Sequence, residues 1–164
     1  MAATKVAIDV NISPRVAGAL SQIFGHQGYD FIPLRNLVDH RAKDTFWADV
    51  YRDSGGVFVI SGDSKIAYRP HEAIAFVDNG LVSVFPSENW DTLKLHEKCV
   101  LLTYYWPTIA ATFRHARPGT NWRLPIIARK GELILRPVTL IPLEIPAHVL
   151  EQARGRRRAT RGGG

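Results

Sequence analysis

Apolar and polar positions along the chain alternate between two periods. Residues 5–11 form a short apolar run that carries Asp9 toward its carboxyl end. Ser13 and Pro14 then supply an N-cap and a first helical proline, and apolar residues recur at helical spacing over 15–24. Gly25 or Gly28 ends that helix. Residues 29–34 predict a second strand with Pro33 at its end, 35–43 a polar loop, and 44–52 a second helix broken by Ser54, Gly55 and Gly56. The continuous apolar run 57–60 has the length of a central parallel strand buried on both faces. A helix over 70–77, a turn at 78–80 and a fourth strand over 81–86 repeat the pattern. Strands alternating with helices imply βαβ units with right-handed crossovers, and so an α/β domain of three layers, α/β/α, around a mainly parallel sheet.

The remainder departs from that alternation. Residues 91–115 predict a long helix whose stretch 99–113 is uncharged. Pro107 interrupts that stretch, which is shorter than the roughly 20 residues a bilayer span needs, so a kinked core helix is expected, with Tyr104, Tyr105, Trp106 and Phe113 in the core. Segments 121–127 and 132–136 flank Arg129, Lys130 and Gly131 and read as a β-hairpin or added edge. Residues 137–146 are extended and proline-rich, and a basic flexible tail follows from Glu151. The expected organisation is a domain over 1–115, its extension over 116–150, and a tail over 151–164.

Composition narrows the class. A chain of 164 residues, 46% of them hydrophobic, supports one domain with a real core. A single cysteine, Cys99, excludes an internal disulfide and fits the reducing cytoplasm, and no secretory leader or membrane segment is read. Charge is unevenly spread: residues 1–113 hold 10 basic and 12 acidic groups, 114–136 hold six and one, and 151–164 hold five and one. A slightly acidic body with cationic surface at its end suits a polyanion. Arg114, Arg117, Arg123, Arg129 and Lys130 are the candidate phosphate contacts, joined by the arginines of the tail, with nucleic acid the expected partner.

Three aspartates fall at equivalent junctions: Asp9 ending the first strand, Asp44 where the second helix begins, and Asp63 just past the third strand. In a doubly wound sheet these junctions share one rim, so the carboxylates can converge. Carboxylates that close raise one another's pKa unless a cation neutralises them, and oxygen-only ligands suit Mg²⁺ or Mn²⁺. The six histidines are scattered and offer no zinc spacing.

The stretch 8–14, Ile-Asp-Val-Asn-Ile-Ser-Pro, resembles the opening of PIN and PIN-like nuclease domains, among them VapC-type toxins of bacterial toxin–antitoxin pairs. Residues 43–47 look like the family's acid at a helix start, and 57–63 like its apolar strand followed by S/T-x-D. The resemblance covers about residues 5–115. It implies a Mg²⁺- or Mn²⁺-dependent endoribonuclease with Asp9, Asp44 and Asp63 as metal ligands, Ser61 orienting Asp63 or a ligand water, and Asn11 lining the site. It also implies RNA as substrate, a cognate antitoxin as partner and pairing as a homodimer. Where related chains place another acid two residues after the third, this sequence has Lys65, which could hold a phosphate. Glu88 is the favoured fourth ligand, ahead of Asp91 and Asp78, and Asp49 is the alternative to Asp44. The competing readings are a PIN-like module that binds RNA or protein without catalysis, and a receiver-like phosphoacceptor domain.

Overall fold

The computed structural model describes residues 2–37, 46–63, 65, 68–86, 89–125, 128–129 and 132–163. In chain order the elements are β1 (Thr4–Ile8), α1 (Pro14–Phe24), β2 (Tyr29–Pro33), α2 (Phe46–Asp53), β3 (Phe58–Ile60), α3 (Pro70–Asp78), β4 (Val82–Phe85), α4 (Leu95–His115), β5 (Asn121–Arg123), β6 (Ala128–Arg129), β7 (Glu132–Leu133), β8 (Ile141–Pro142) and α5 (Ala147–Arg161). The main sheet has six strands in the order β2-β1-β3-β4-β5-β8. Its first five are parallel, and β8 closes one edge antiparallel to β5.

Alternation along the strands splits the core in two. Val6, Ile8, Ile60, Val82 and Val84 face α1 and α4, where Leu20, Leu101, Trp106 and Ile109 bury against them. Ala7, Val59 and Phe85 face the other way, against Ala48 and Tyr51 of α2 and Ala75 and Phe76 of α3. With helices on both faces, the fold is the expected three-layer α/β/α arrangement around a mainly parallel sheet. Trp106 gathers the rings of Phe24, Tyr29, Phe31 and Phe113 around it. Tyr105, Trp106 and Phe113 are core residues as expected, whereas Tyr104 is 45% exposed. Among the described residues no helix is long and apolar enough to cross a membrane.

Three local readings differ from the structure. Residues 121–123 do not pair with 132–136; they enter the main sheet beside β4, because Trp122 and Leu124 bury against the α4 side, and only Ala128–Arg129 and Glu132–Leu133 form a hairpin. The basic segment from Glu151 is not a free tail but most of α5, since Val149 and Ala153, four residues apart, bury one stripe while the helix packs on α3. The crossovers do not share one hand. β3 to β4 and β4 to β5 advance in the same direction, yet α3 lies on the α2 face and α4 on the α1 face, so the last has the opposite hand. The long apolar α4 covers the half of the sheet that the 11-residue α1 leaves open.

Candidate functional site

The strand order places the turning point of the sheet between β1 and β3. The chain leaves β1 for β2 on one side and returns to β3 on the other, which opens a crevice beyond the carboxyl ends of these two strands. Asp9 stands at that opening. Its N–H donates to the Ile60 carbonyl (3.0 Å), extending the ladder by one residue, and its carbonyl accepts from Ile12 (2.9 Å), turning the chain toward α1. Ser13 caps that helix by accepting from the Arg15 N–H, and Pro14 begins it.

The Asp9 side chain is held at both oxygens. Oδ1 accepts from the Val10 N–H at 2.6 Å, and Oδ2 accepts from the Ser61 hydroxyl at 2.6 Å. The Ser61 Oγ in turn accepts from the Asp63 N–H at 3.2 Å. One hydroxyl therefore ties the carboxylate of one strand end to the loop of its neighbour. Asn11 adds a second tie, its Oδ1 accepting from the Gly62 N–H at 3.0 Å. Asp9 is only 6% exposed, and burial raises its pKa above the usual 3.8; the bonds from Ser61 and Val10 pull it down, and the nearby Asp63 charge pushes it up.

Asp63 sits further out. Its Oδ1 accepts from the Lys65 N–H (3.1 Å), while Oδ2 pairs with Arg69 Nη1 (3.0 Å), which also reaches Glu72 (3.3 Å). On the β2 side Arg35 Nη2 donates to the Val10 carbonyl at 3.0 Å. Arg35 and Arg69 thus flank the crevice, and sequence reasoning named neither. The available signals were positional: Arg35 follows the end of a strand and Arg69 precedes a proline that starts a helix.

Gly62 explains why the loop can lie so close to its neighbours. A Cβ there would stand 2.9 Å from Trp90 Nε1 and 3.3 Å from Asn11 Oδ1. Trp90 is 3% exposed, and its indole N–H is buried without a hydrogen-bond partner among the described residues. Lys98 lies over the ring, 5.3 Å from its centroid. Gly62→Ala should therefore displace Trp90 or the Asn11 contact and destabilise the fold by about 1–3 kcal/mol. Thermal unfolding checks this, and a melting temperature equal to wild type would show that the contact yields freely.

Of the expected site residues, the structure brings together Asp9, Asn11, Ser61 and Asp63, with the exposed Lys65 contributing its backbone N–H. Asp44, Glu88 and Lys130 lie outside the described residues. Asp49 turns away to accept from Asn79, past the far end of α3, and Asp78 pairs with Arg157 there. Arg123 ends β5, three strands from β1, and Arg129 is in the hairpin. Arg114 and Arg117 fall at the opposite rim, where Arg114 bonds the Tyr29 hydroxyl at the start of β2.

Among the described residues no group of three or more His, Cys, Asp or Glu side chains could hold a metal. Asp9 and Asp63 are nevertheless an oxygen-only pair; among the described residues each Asp9 oxygen uses a single hydrogen bond, and the charge that acts on Asp9 is another carboxylate. That donor chemistry fits a hard cation of the Mg²⁺ kind, which one or two carboxylates can hold with waters and phosphate oxygens completing its shell.

A family model described as a PIN-like domain matches residues 4–88, just over half the chain. No curated protein and no solved structure matches it. PIN-like domains are commonly nucleases, and they generally use divalent metals. The matched span runs from β1 through β4 and contains Asp9, Asn11, Ser61 and Asp63. The chain belongs to the PIN-like domain family.

Proposed function

We propose that the protein is a Mg²⁺- or Mn²⁺-dependent endoribonuclease that hydrolyses RNA phosphodiester bonds in the crevice between β1 and β3. The observation that carries the reading is the Asp9–Ser61–Asp63 chain of hydrogen bonds, which fixes a buried carboxylate, with no cationic partner among the described residues, beside a second one. Asp9 and Asp63 are the ligands in this reading, and Asp44 and Glu88 are proposed to complete the set. A bound divalent ion supplies positive charge against the phosphoryl oxygens and makes water a competent nucleophile. The chain's own work is placement. Ser61 stops the Asp9 carboxylate from rotating, Asn11 fixes the loop that bears Asp63, and the guanidinium groups of Arg35 and Arg69 can meet phosphate oxygens. Through the likeness of residues 8–14 to VapC-type toxins the reading extends to a cytoplasmic toxin, pairing as a homodimer and restrained by a cognate antitoxin.

The Arg69–Asp63 ion pair favours a second reading. There the arginine is the cation that neutralises Asp63, and the crevice binds RNA without cutting it. One assay separates the two: purified protein and end-labelled RNA with Mn²⁺, with chelator, and with Mn²⁺ restored in excess. The nuclease reading expects cleavage to fall at least about 100-fold on chelation and to return with the metal. RNA retained but never shortened supports the second reading, and cleavage that persists in chelator removes the metal assignment.

A further inference from the structure

The strongest feature outside the crevice is the outer face of α5. Arg154, Arg156, Arg157, Arg158 and Arg161 are all exposed on this helix. Val149 and Ala153 are turned into the protein, and Arg157 and Arg156 reach back to the two ends of α3, to Asp78 and to His71 (Nη1 to Nε2, 3.5 Å). Arg154, Arg158 and Arg161, spaced by four and three, form a single stripe on the side away from α3. Among the described residues these three make no ion pair. Like charges four apart, Arg154 with Arg158 and Arg157 with Arg161, repel, and Gly155 weakens the helix between them. The helix holds an uncompensated charge that a polyanion would relieve.

Its position links it to the crevice. His71 is in the first turn of α3, two residues past the Arg69 that holds Asp63, so Arg156 stands beside the rim while Arg157 reaches the other end of α3. We infer that α5 binds the phosphate backbone of RNA and leads it along α3 to the Asp9–Asp63 crevice. Every cation on the helix is arginine, whose planar fork meets phosphate oxygens in pairs. An anionic membrane fits less well, because the exposed face carries no large apolar side chain to insert. The choice of RNA rests on the ribonuclease reading; the phosphate-binding face stands on α5 itself.

The experiment uses the full chain in chelator, so that the probe stays intact, and follows fluorescence anisotropy of labelled oligouridylate across a salt series. Replacing Arg154, Arg158 and Arg161 together by Gln should weaken binding at low salt by at least about 10-fold. It should also make the slope of log affinity against log salt shallower by about 2, at roughly 0.7 for each phosphate that is no longer neutralised. The corresponding triple Lys variant should keep the slope, and far-UV circular dichroism should show the helix retained in both. Unchanged affinity and slope in the Gln variant overturn the proposal, as does wild-type protein that ignores RNA but binds phosphatidylserine vesicles. RNA that is retained but never shortened when Mn²⁺ is supplied would undo the nuclease reading alone and leave this binding result standing.

Discussion

Asp9→Asn is expected to abolish Mn²⁺-dependent RNA cleavage while raising the melting temperature at neutral pH. Both effects come from one fact, that burial and a second carboxylate close by disfavour the charged form of Asp9, with no cationic partner for it among the described residues. Its folded pKa lies above the unfolded value of 3.8. Below pH 3.8 the group is protonated in both states and folding is unaffected. As pH rises through that value the unfolded chain ionises first, so stability falls until the folded group has ionised as well, and the cost persists at higher pH. Asparagine fills the same volume, can still accept from Val10 and exchange a hydrogen bond with Ser61, and carries no charge to bury. The variant should therefore melt higher than wild type at pH 7, with the gap closing toward pH 3.8. Activity should drop by at least about 100-fold. Adding Mg²⁺ or Mn²⁺ should raise the wild-type melting temperature, by the equivalent of about 2.7 kcal/mol at 100 times the dissociation constant, and leave the variant unmoved. A variant less stable than wild type at neutral pH would make Asp9 a structural cap, and one that still cleaves would remove it from the chemistry.

How much of this was legible depended on how local each signal was. The strand over 57–60 and the serine and aspartate after it could be read directly, because a continuous apolar run ending in small polar residues has few alternatives in an α/β chain. The same logic placed Asp9. The role of Ser61 was only half visible: the motif implied that it serves Asp63, but the structure has its hydroxyl donating to Asp9, a partner 52 residues distant that no local pattern encodes. Composition misled at the C-terminus. Five arginines among the last residues look like a solvated tail, and only Val149 and Ala153 mark the stripe that docks on α3. Arg114 and Arg117 show the limit of charge counting, since they belong to the basic segment yet lie at the rim away from the acids. The hand of the β4–α4–β5 connection was equally hidden, being set by which face had room for a helix of 21 residues.

Tyr51→Phe is expected to cost about 1–3 kcal/mol, the penalty for orphaning a buried backbone donor, although it removes a single oxygen. Tyr51 is fully buried, and its hydroxyl accepts from the Ala7 N–H (3.1 Å) while facing the carbonyls of Lys5 (3.0 Å) and Phe58 (2.6 Å). One atom thus bonds main-chain groups of both β1 and β3, the strands that deliver Asp9 and Ser61. Burial pushes the phenol well above its ordinary range, so it stays a neutral donor. The chain makes room for the ring at Gly56, where a Cβ would stand 2.2 Å from Tyr51 ring carbons. Phenylalanine keeps that ring in place and opens no cavity, so any loss reports the hydroxyl. At roughly 2–4 °C per kcal/mol for a chain of this size, the melting temperature should fall by several degrees. Metal affinity should fall with it, because Asp9 and the loop bearing Asp63 keep their spacing only while β1 and β3 stay in register. A variant that melts like wild type would mean that the Ala7 N–H finds another partner. In that case the Asp9–Ser61 and Asn11–Gly62 bonds, with the β1–β3 ladder, would hold the two strand ends together without the phenol.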